Sequence, residues 1–97
     1  MQTVVLKRVT VVAEPVLEES LTDDLRRLGA TGFIVCDVRG DGSRASELPG
    51  AGVKIETLVS PDVANRILER VATYYFPHYA VIAWVTDVAV VRRDKYV

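Results

Sequence analysis

Apolar and polar positions along the chain divide it into alternating strand-like and helix-like stretches. From Thr3 to Val12 the sequence is valine-rich and alternates imperfectly with polar residues, which predicts a strand. Glu14–Pro15 opens a helix, the proline sitting in the first turn, where its missing N–H costs nothing. Leu17, Leu21, Leu25 and Leu28 follow at spacings of four, four and three, which is one helical face. Glu18, Glu19, Asp23 and Asp24 lie off that stripe and are expected on its solvated side. Arg26 and Arg27 close the helix where the macrodipole favours cations, and Gly29 suits the position just past its end.

Gly32–Val38 reads as a second strand, and Val53–Val59 as a third. Between them residues 39–52 hold four glycines, a proline and two serines, so this segment is expected to be a long flexible loop. Ser60–Pro61–Asp62 combines a cap, a first-turn proline and an early carboxylate, and so starts a second helix. Its apolar face comprises Val63, Ile67, Val71 and either Tyr74 or Tyr75, and Pro77 ends it. Ala80–Val91 is the fourth strand, and residues 92–97 form a basic tail.

The order β-α-β-β-α-β predicts an α+β, ferredoxin-like fold: a four-stranded antiparallel sheet with both helices on one face. The strands add a further point. Val4, Leu6 and Val12 oppose Val5, Val9 and Val11, while Ile82, Trp84 and Val88 oppose Val81, Val85 and Val91. Both faces of the sheet are therefore apolar, although two helices can cover only one. Burial of the open face against other copies is expected, most simply in a homotrimer; the alternative is a monomer with a greasy face.

Composition narrows the function classes. The length of 97 residues allows one domain, residues 1–97, and a chain this short buries only about two-thirds of its unfolded surface. Twelve basic against 13 acidic residues give a net charge of −1, so no bulk attraction to nucleic acid or anionic lipid is expected. A single cysteine, Cys36, excludes an internal disulfide and a cysteine-based zinc site, and its mid-strand position suggests a small core residue. Met1–Gln2–Thr3 leads directly into strand-like sequence, and the longest apolar stretch, Tyr79–Val85, is seven residues, against roughly 20 for a membrane span. A cytoplasmic protein without membrane insertion is expected.

Enzyme constellations are sparse. His78 is the one histidine, and Ser43, Ser46 and Cys36 have no activating base in local sequence, so no catalytic or metal-ligating residue is assigned. Glu56 and Asp87 each sit inside a strand, where a salt bridge at a subunit contact accounts for them. The informative segment is Gly40-Asp41-Gly42-Ser43-Arg44. Its glycines free backbone N–H groups to turn towards an anion, Ser43 adds a hydroxyl donor and Arg44 a planar charged fork. Nine of the twelve basic residues are arginine, and Arg39, Arg92, Arg93 and Lys95 cluster at this segment or the C-terminus.

Several strings, in order, resemble the PII signalling superfamily: Leu6–Pro15 its opening strand and proline, Gly29–Phe33 its helix-to-strand turn, Val53–Glu56 its third strand and Asp87–Ala89 the end of its fourth. The long loop corresponds to that family's T-loop. It has no tyrosine for uridylylation, and Arg44 stands where nitrogen-sensing members carry a glutamine. Gly40-x-Gly-Ser-Arg44 and Tyr75-Phe76-x-x-Tyr79-Ala80 instead resemble the branch linked to inorganic carbon, which includes the carboxysome-associated type and the partner of a sodium–bicarbonate transporter.

The resemblance implies a non-enzymatic homotrimeric sensor with adenine-nucleotide sites in the clefts between subunits. Gly42, Ser43 and Arg44 would contact phosphate, with Gly40 allowing the turn. Val12, Ala13 and Leu58 would line the adenine slot, and Tyr79, Ala80 and Val81 would close it. Arg93 and Lys95 of a neighbouring subunit would add charge. The lysine-bearing loop before the fourth strand is missing, so AMP, ADP or cyclic AMP is expected over ATP. Bicarbonate is the implied second ligand, and a bicarbonate transporter or a carboxysome-related protein the implied partner. Three rivals share this topology: a small ferredoxin-like enzyme, which would need an asparagine where only Asn65 on the second helix is available; a CutA-like metal-binding trimer, for which Cys36, His78 and Met1 are few and scattered; and an RNA-recognition module, whose base-stacking aromatics Val53–Val59 lacks.

Overall fold

The computed structural model describes residues 1–40 and 50–96. Four strands, β1 (Val4–Ala13), β2 (Ile34–Gly40), β3 (Gly50–Val59) and β4 (Val81–Val90), form one antiparallel sheet in the order β2-β3-β1-β4. Two helices, α1 (Glu18–Leu28) and α2 (Pro61–Arg70), pack on one of its faces. This is the ferredoxin-like α+β architecture that the element order predicts.

Local chemistry accounts for the helix ends. Ser60 accepts the Val63 N–H through its hydroxyl at 3.4 Å, with Pro61 at the first position of α2. Pro15–Leu17 forms a short 3₁₀ turn before α1. Gly29 ends α1 at φ 119°, a backbone conformation that side chains disfavour. From the neighbouring helix, Arg66 donates to the Leu28 carbonyl at 3.3 Å, supplying a partner to one of the last groups of α1. The leucine stripe of α1 packs with Val9, Val11, Val53, Ile55 and Val59 of the sheet and Ile67 and Val71 of the second helix.

Beyond Arg70 the second helix widens into a π-helical turn, Val71–Tyr75, closed by the Phe76 N–H on the Val71 carbonyl at 3.0 Å. The turn settles which tyrosine faces inward: Tyr75 is buried and Tyr74 is exposed, with Arg70 over its ring.

Four expectations change. The β2–β3 ladder runs on to Gly40↔Gly50, so Arg39, Gly40 and residues 50–52, expected in the loop, are paired strand residues. Neighbouring strands override the poor strand propensity of glycine here. Cys36 is exposed rather than a core residue, because β2 is an edge strand and Cys36 alternates onto the face that the helices leave open. Glu56 and Asp87 find their partners within the chain, Glu56 with Arg8 and Lys54, Asp87 with Lys7. Asp24 is buried rather than solvated, since α2 and the π turn bring Arg70 and Tyr75 onto its carboxylate.

Candidate functional site

Pairing register decides which residues share the open face. Ile34 pairs with Glu56, Glu56 with Thr10 and Thr10 with Trp84; one step along, Cys36 pairs with Lys54, Lys54 with Val12 and Val12 with Ile82. Because side chains alternate, these two rows lie on one face. The face is apolar at its margins, where Ile34 and Trp84 are exposed. Its middle is polar. Glu56 accepts the Thr10 hydroxyl at 2.9 Å and faces Arg8 Nε at 3.6 Å and Lys54 Nζ at 3.9 Å. Two cations on one carboxylate leave an excess of one positive charge at the centre of the face.

A cavity opens on either side of that centre. The first, of about 220 Å³, lies at the β2–β3 hairpin end. Val12, Val38 and Ile82 give it an apolar wall, Gly40, Gly50 and Gly52 a wall of bare backbone, and Arg39 lies at its edge. A Cβ at Gly52 would come within 3.2 Å of the Ala13 carbonyl oxygen and 4.0 Å of Val12, so the glycine keeps this space open. The combination suits a flat apolar group lying on that wall, at the root of the segment whose sequence offers Gly42, Ser43 and Arg44 to an anion.

The second cavity, of about 430 Å³, lies at the opposite end, where Arg8, Glu56, Leu58 and Val88 meet the C-terminal turn. That turn leaves β4 through Arg92, which adopts a left-handed φ of 60°. It is tied back by the Thr31 hydroxyl, which donates to the Tyr96 carbonyl at 2.6 Å. Lys95 and Tyr96 thereby line the cavity.

The residues singled out in the sequence thus divide into groups. Val12 and Gly40 line the hairpin-end cavity. Ala13 and Val81 pair beside it but are buried in the core between sheet and helices. Ala80 leads into the same end, its N–H donating to the Glu14 carboxylate at 3.4 Å, and Tyr79 is exposed next to it. Leu58 and Lys95 line the other cavity. Leu58 pairs with Arg8 and Lys54 with Val12, so Leu58 is four residues, about 13 Å, along the strands from Val12. One chain does not bring the two groups together. Gly42, Ser43 and Arg44 lie outside the described residues, as does the side chain of Arg93.

Val38, Gly50, Gly52 and Ile82 were not legible as site residues. Their signal is register: even-numbered positions of β1, β3 and β4 share the open face once the pairing is fixed. Among the described residues no group of three His, Cys, Asp or Glu side chains is arranged to hold a metal ion, and no helix is long and apolar enough to cross a membrane.

Fold, open face and glycine-walled cavity together define a small ferredoxin-like domain with a candidate ligand cavity. The chain belongs to the P-II family: the family model described as nitrogen regulatory protein P-II matches residues 6–95. Among solved structures, a PII-like signaling protein from Thermus thermophilus is 50% identical over 100% of both chains, with a TM-score of 0.87. CPII from Thiomonas intermedia, bound to ADP, AMP and acetate, is 25% identical, with a TM-score of 0.89 over 99% of this chain and 98% of that one. The same protein bound to ADP, AMP and bicarbonate gives a TM-score of 0.82 over 94% of this chain and 98% of that one, at 25% identity. No curated protein matches the chain by sequence.

Proposed function

We propose that this PII-family chain is a non-enzymatic sensor that binds AMP or ADP between copies of itself, with bicarbonate as a second ligand. The observation that carries this reading is the hairpin-end cavity, whose glycine-backbone wall lies at the root of the segment containing Gly42, Ser43 and Arg44. The Thiomonas protein, bound to ADP, AMP and bicarbonate, supports the choice of ligands.

The wide separation of the two cavities supports an intersubunit site. Leu58 and Lys95 lie at the opposite end from Val12 and Gly40, so a cleft that joins one chain's tail end to another's hairpin end brings both groups to one nucleotide. A head-to-tail ring meets that demand, and three copies is the expected number. The exposed Ile34 and Trp84 on the open face favour such burial. Adenine lies on the Val12–Ile82 wall of one copy's hairpin-end cavity, its phosphates directed towards the segment that follows Gly40, and the tail end of the next copy closes the cleft with Leu58 and Lys95.

Nucleotide binding then acts on a partner through the T-loop expected over residues 39–52, of which 41–49 lie outside the described residues. A tenfold preference of the nucleotide for one loop arrangement amounts to about 1.4 kcal/mol, which one charge-assisted hydrogen bond supplies. We assign the output to inorganic-carbon uptake or carboxysome function, on the Gly-Ser-Arg and Tyr-Phe-x-x-Tyr-Ala strings. Titration calorimetry with AMP, ADP, ATP and cyclic AMP, each with and without bicarbonate, tests the reading. Micromolar binding of AMP or ADP is expected, and no binding below millimolar by any of the four ends it.

A further inference from the structure

We propose that Asp24 and Tyr75 are positioning residues: their buried hydrogen bond fixes the turn of residues 76–80 and so sets the strand that walls the hairpin-end cavity. This rests on reading that cavity as part of a nucleotide site. Tyr75 is 1% exposed, and its hydroxyl donates to Asp24 Oδ2 at 2.7 Å. That donation leaves the Tyr75 oxygen to accept from Ser20, whose Oγ lies 2.8 Å away. Asp24 is itself held, by Arg70 Nε at 3.1 Å and by Arg27. No polar side-chain atom buried among the described residues lacks a partner, this group included.

The other end of Tyr75 controls the turn. Its carbonyl accepts two N–H groups, from His78 at 3.0 Å and from Tyr79 at 2.9 Å. The π turn delivers Tyr75 to this place, with the Phe76 N–H bonded five residues back to Val71. One residue is therefore clamped through its side chain to α1 and through its carbonyl to the turn. Immediately after that turn, Ala80 meets Glu14, Val81 pairs with Ala13, and Ile82 pairs with Val12 across the cavity wall. A buried carboxylate that touches no ligand thus governs where the wall begins.

Tyr75→Phe removes only the hydroxyl, so amide hydrogen exchange and AMP and ADP calorimetry on the full chain test the proposal. Exchange at His78 and Tyr79 should quicken at least tenfold while Val9 and Val11 stay protected, and nucleotide affinity should fall at least fivefold at unchanged oligomeric mass. Asp24→Ala should reproduce both effects by a second route. Asp24→Asn, which keeps an oxygen acceptor for the phenol, should restore affinity to within twofold of wild type. Unchanged exchange at His78 and Tyr79 in Tyr75→Phe overturns the positioning role whether or not nucleotide binds. Faster exchange with unchanged affinity overturns its link to the cavity. A wild-type chain that binds neither AMP nor ADP instead ends the cavity reading, and the link with it.

Discussion

Gly29 and Val63 meet so closely that a Cβ on the glycine would lie 3.0 Å from Val63 Cγ2. The glycine also sits at φ 119°, so a side chain there meets strain from its own backbone as well as from α2. Gly29→Ala is expected to cost about 2 kcal/mol of stability. Urea unfolding followed by Trp84 fluorescence checks this, and an unmoved midpoint contradicts it.

Thr10 is completely buried although it lies on the open face, and its hydroxyl bonds to Glu56. Thr10→Val keeps the shape and removes the donor, while Arg8 and Lys54 continue to satisfy the carboxylate. The expected loss is about 1.5 kcal/mol, the lower end of the range for a hydrogen bond to a charged group. Chemical denaturation of both forms at matched concentration provides the comparison.

Trp84 offers a test of the assembly. It is 43% exposed in one chain, on the face that carries Ile34, Val12 and Ile82. Trp84→Glu should convert a species of three copies into single chains, because an unpaired carboxylate in a buried apolar contact is strongly unfavourable. Light scattering on the eluting peak reads the mass directly. A mass of three copies in the variant would remove Trp84 from the contact.

Arg44 carries the sharpest prediction about ligand. Arg44→Ala should weaken AMP and ADP binding at least tenfold, about 1.4 kcal/mol, with the oligomer intact. Calorimetry beside a mass measurement separates this from disassembly. Unchanged affinity would take Arg44 out of the phosphate site.

The sequence was most legible where local chemistry decides. The leucine stripe, Gly29, Ser60–Pro61 and Pro77 mark the helices without help from the rest of the fold. Legibility failed where a distant element decides. Asp24 reads as a surface acid until the second helix and its π turn bring Arg70 and Tyr75 onto it. Cys36 reads as core until β2 proves to be an edge with its cysteine on the uncovered side. Residues 50–52 read as loop because glycine is a poor strand former, yet pairing with β2 holds them in register. In the candidate site, Val12 and Gly40 were legible through their strings, whereas Ile82 and Val38 required knowing which strands lie side by side.

The opposite placement of the two cavities has a genetic consequence. If each cleft joins one copy's tail end to the next copy's hairpin end, lesions in the two halves complement one another. A chain carrying Arg44→Ala and a chain carrying Lys95→Ala each form rings with every cleft damaged. In a mixed ring of three, one boundary joins the intact half of each chain and one joins both damaged halves. Co-refolding the two variants should therefore regain a fraction of full-affinity AMP binding, up to one site per mixed ring. A cleft built within a single chain would regain none.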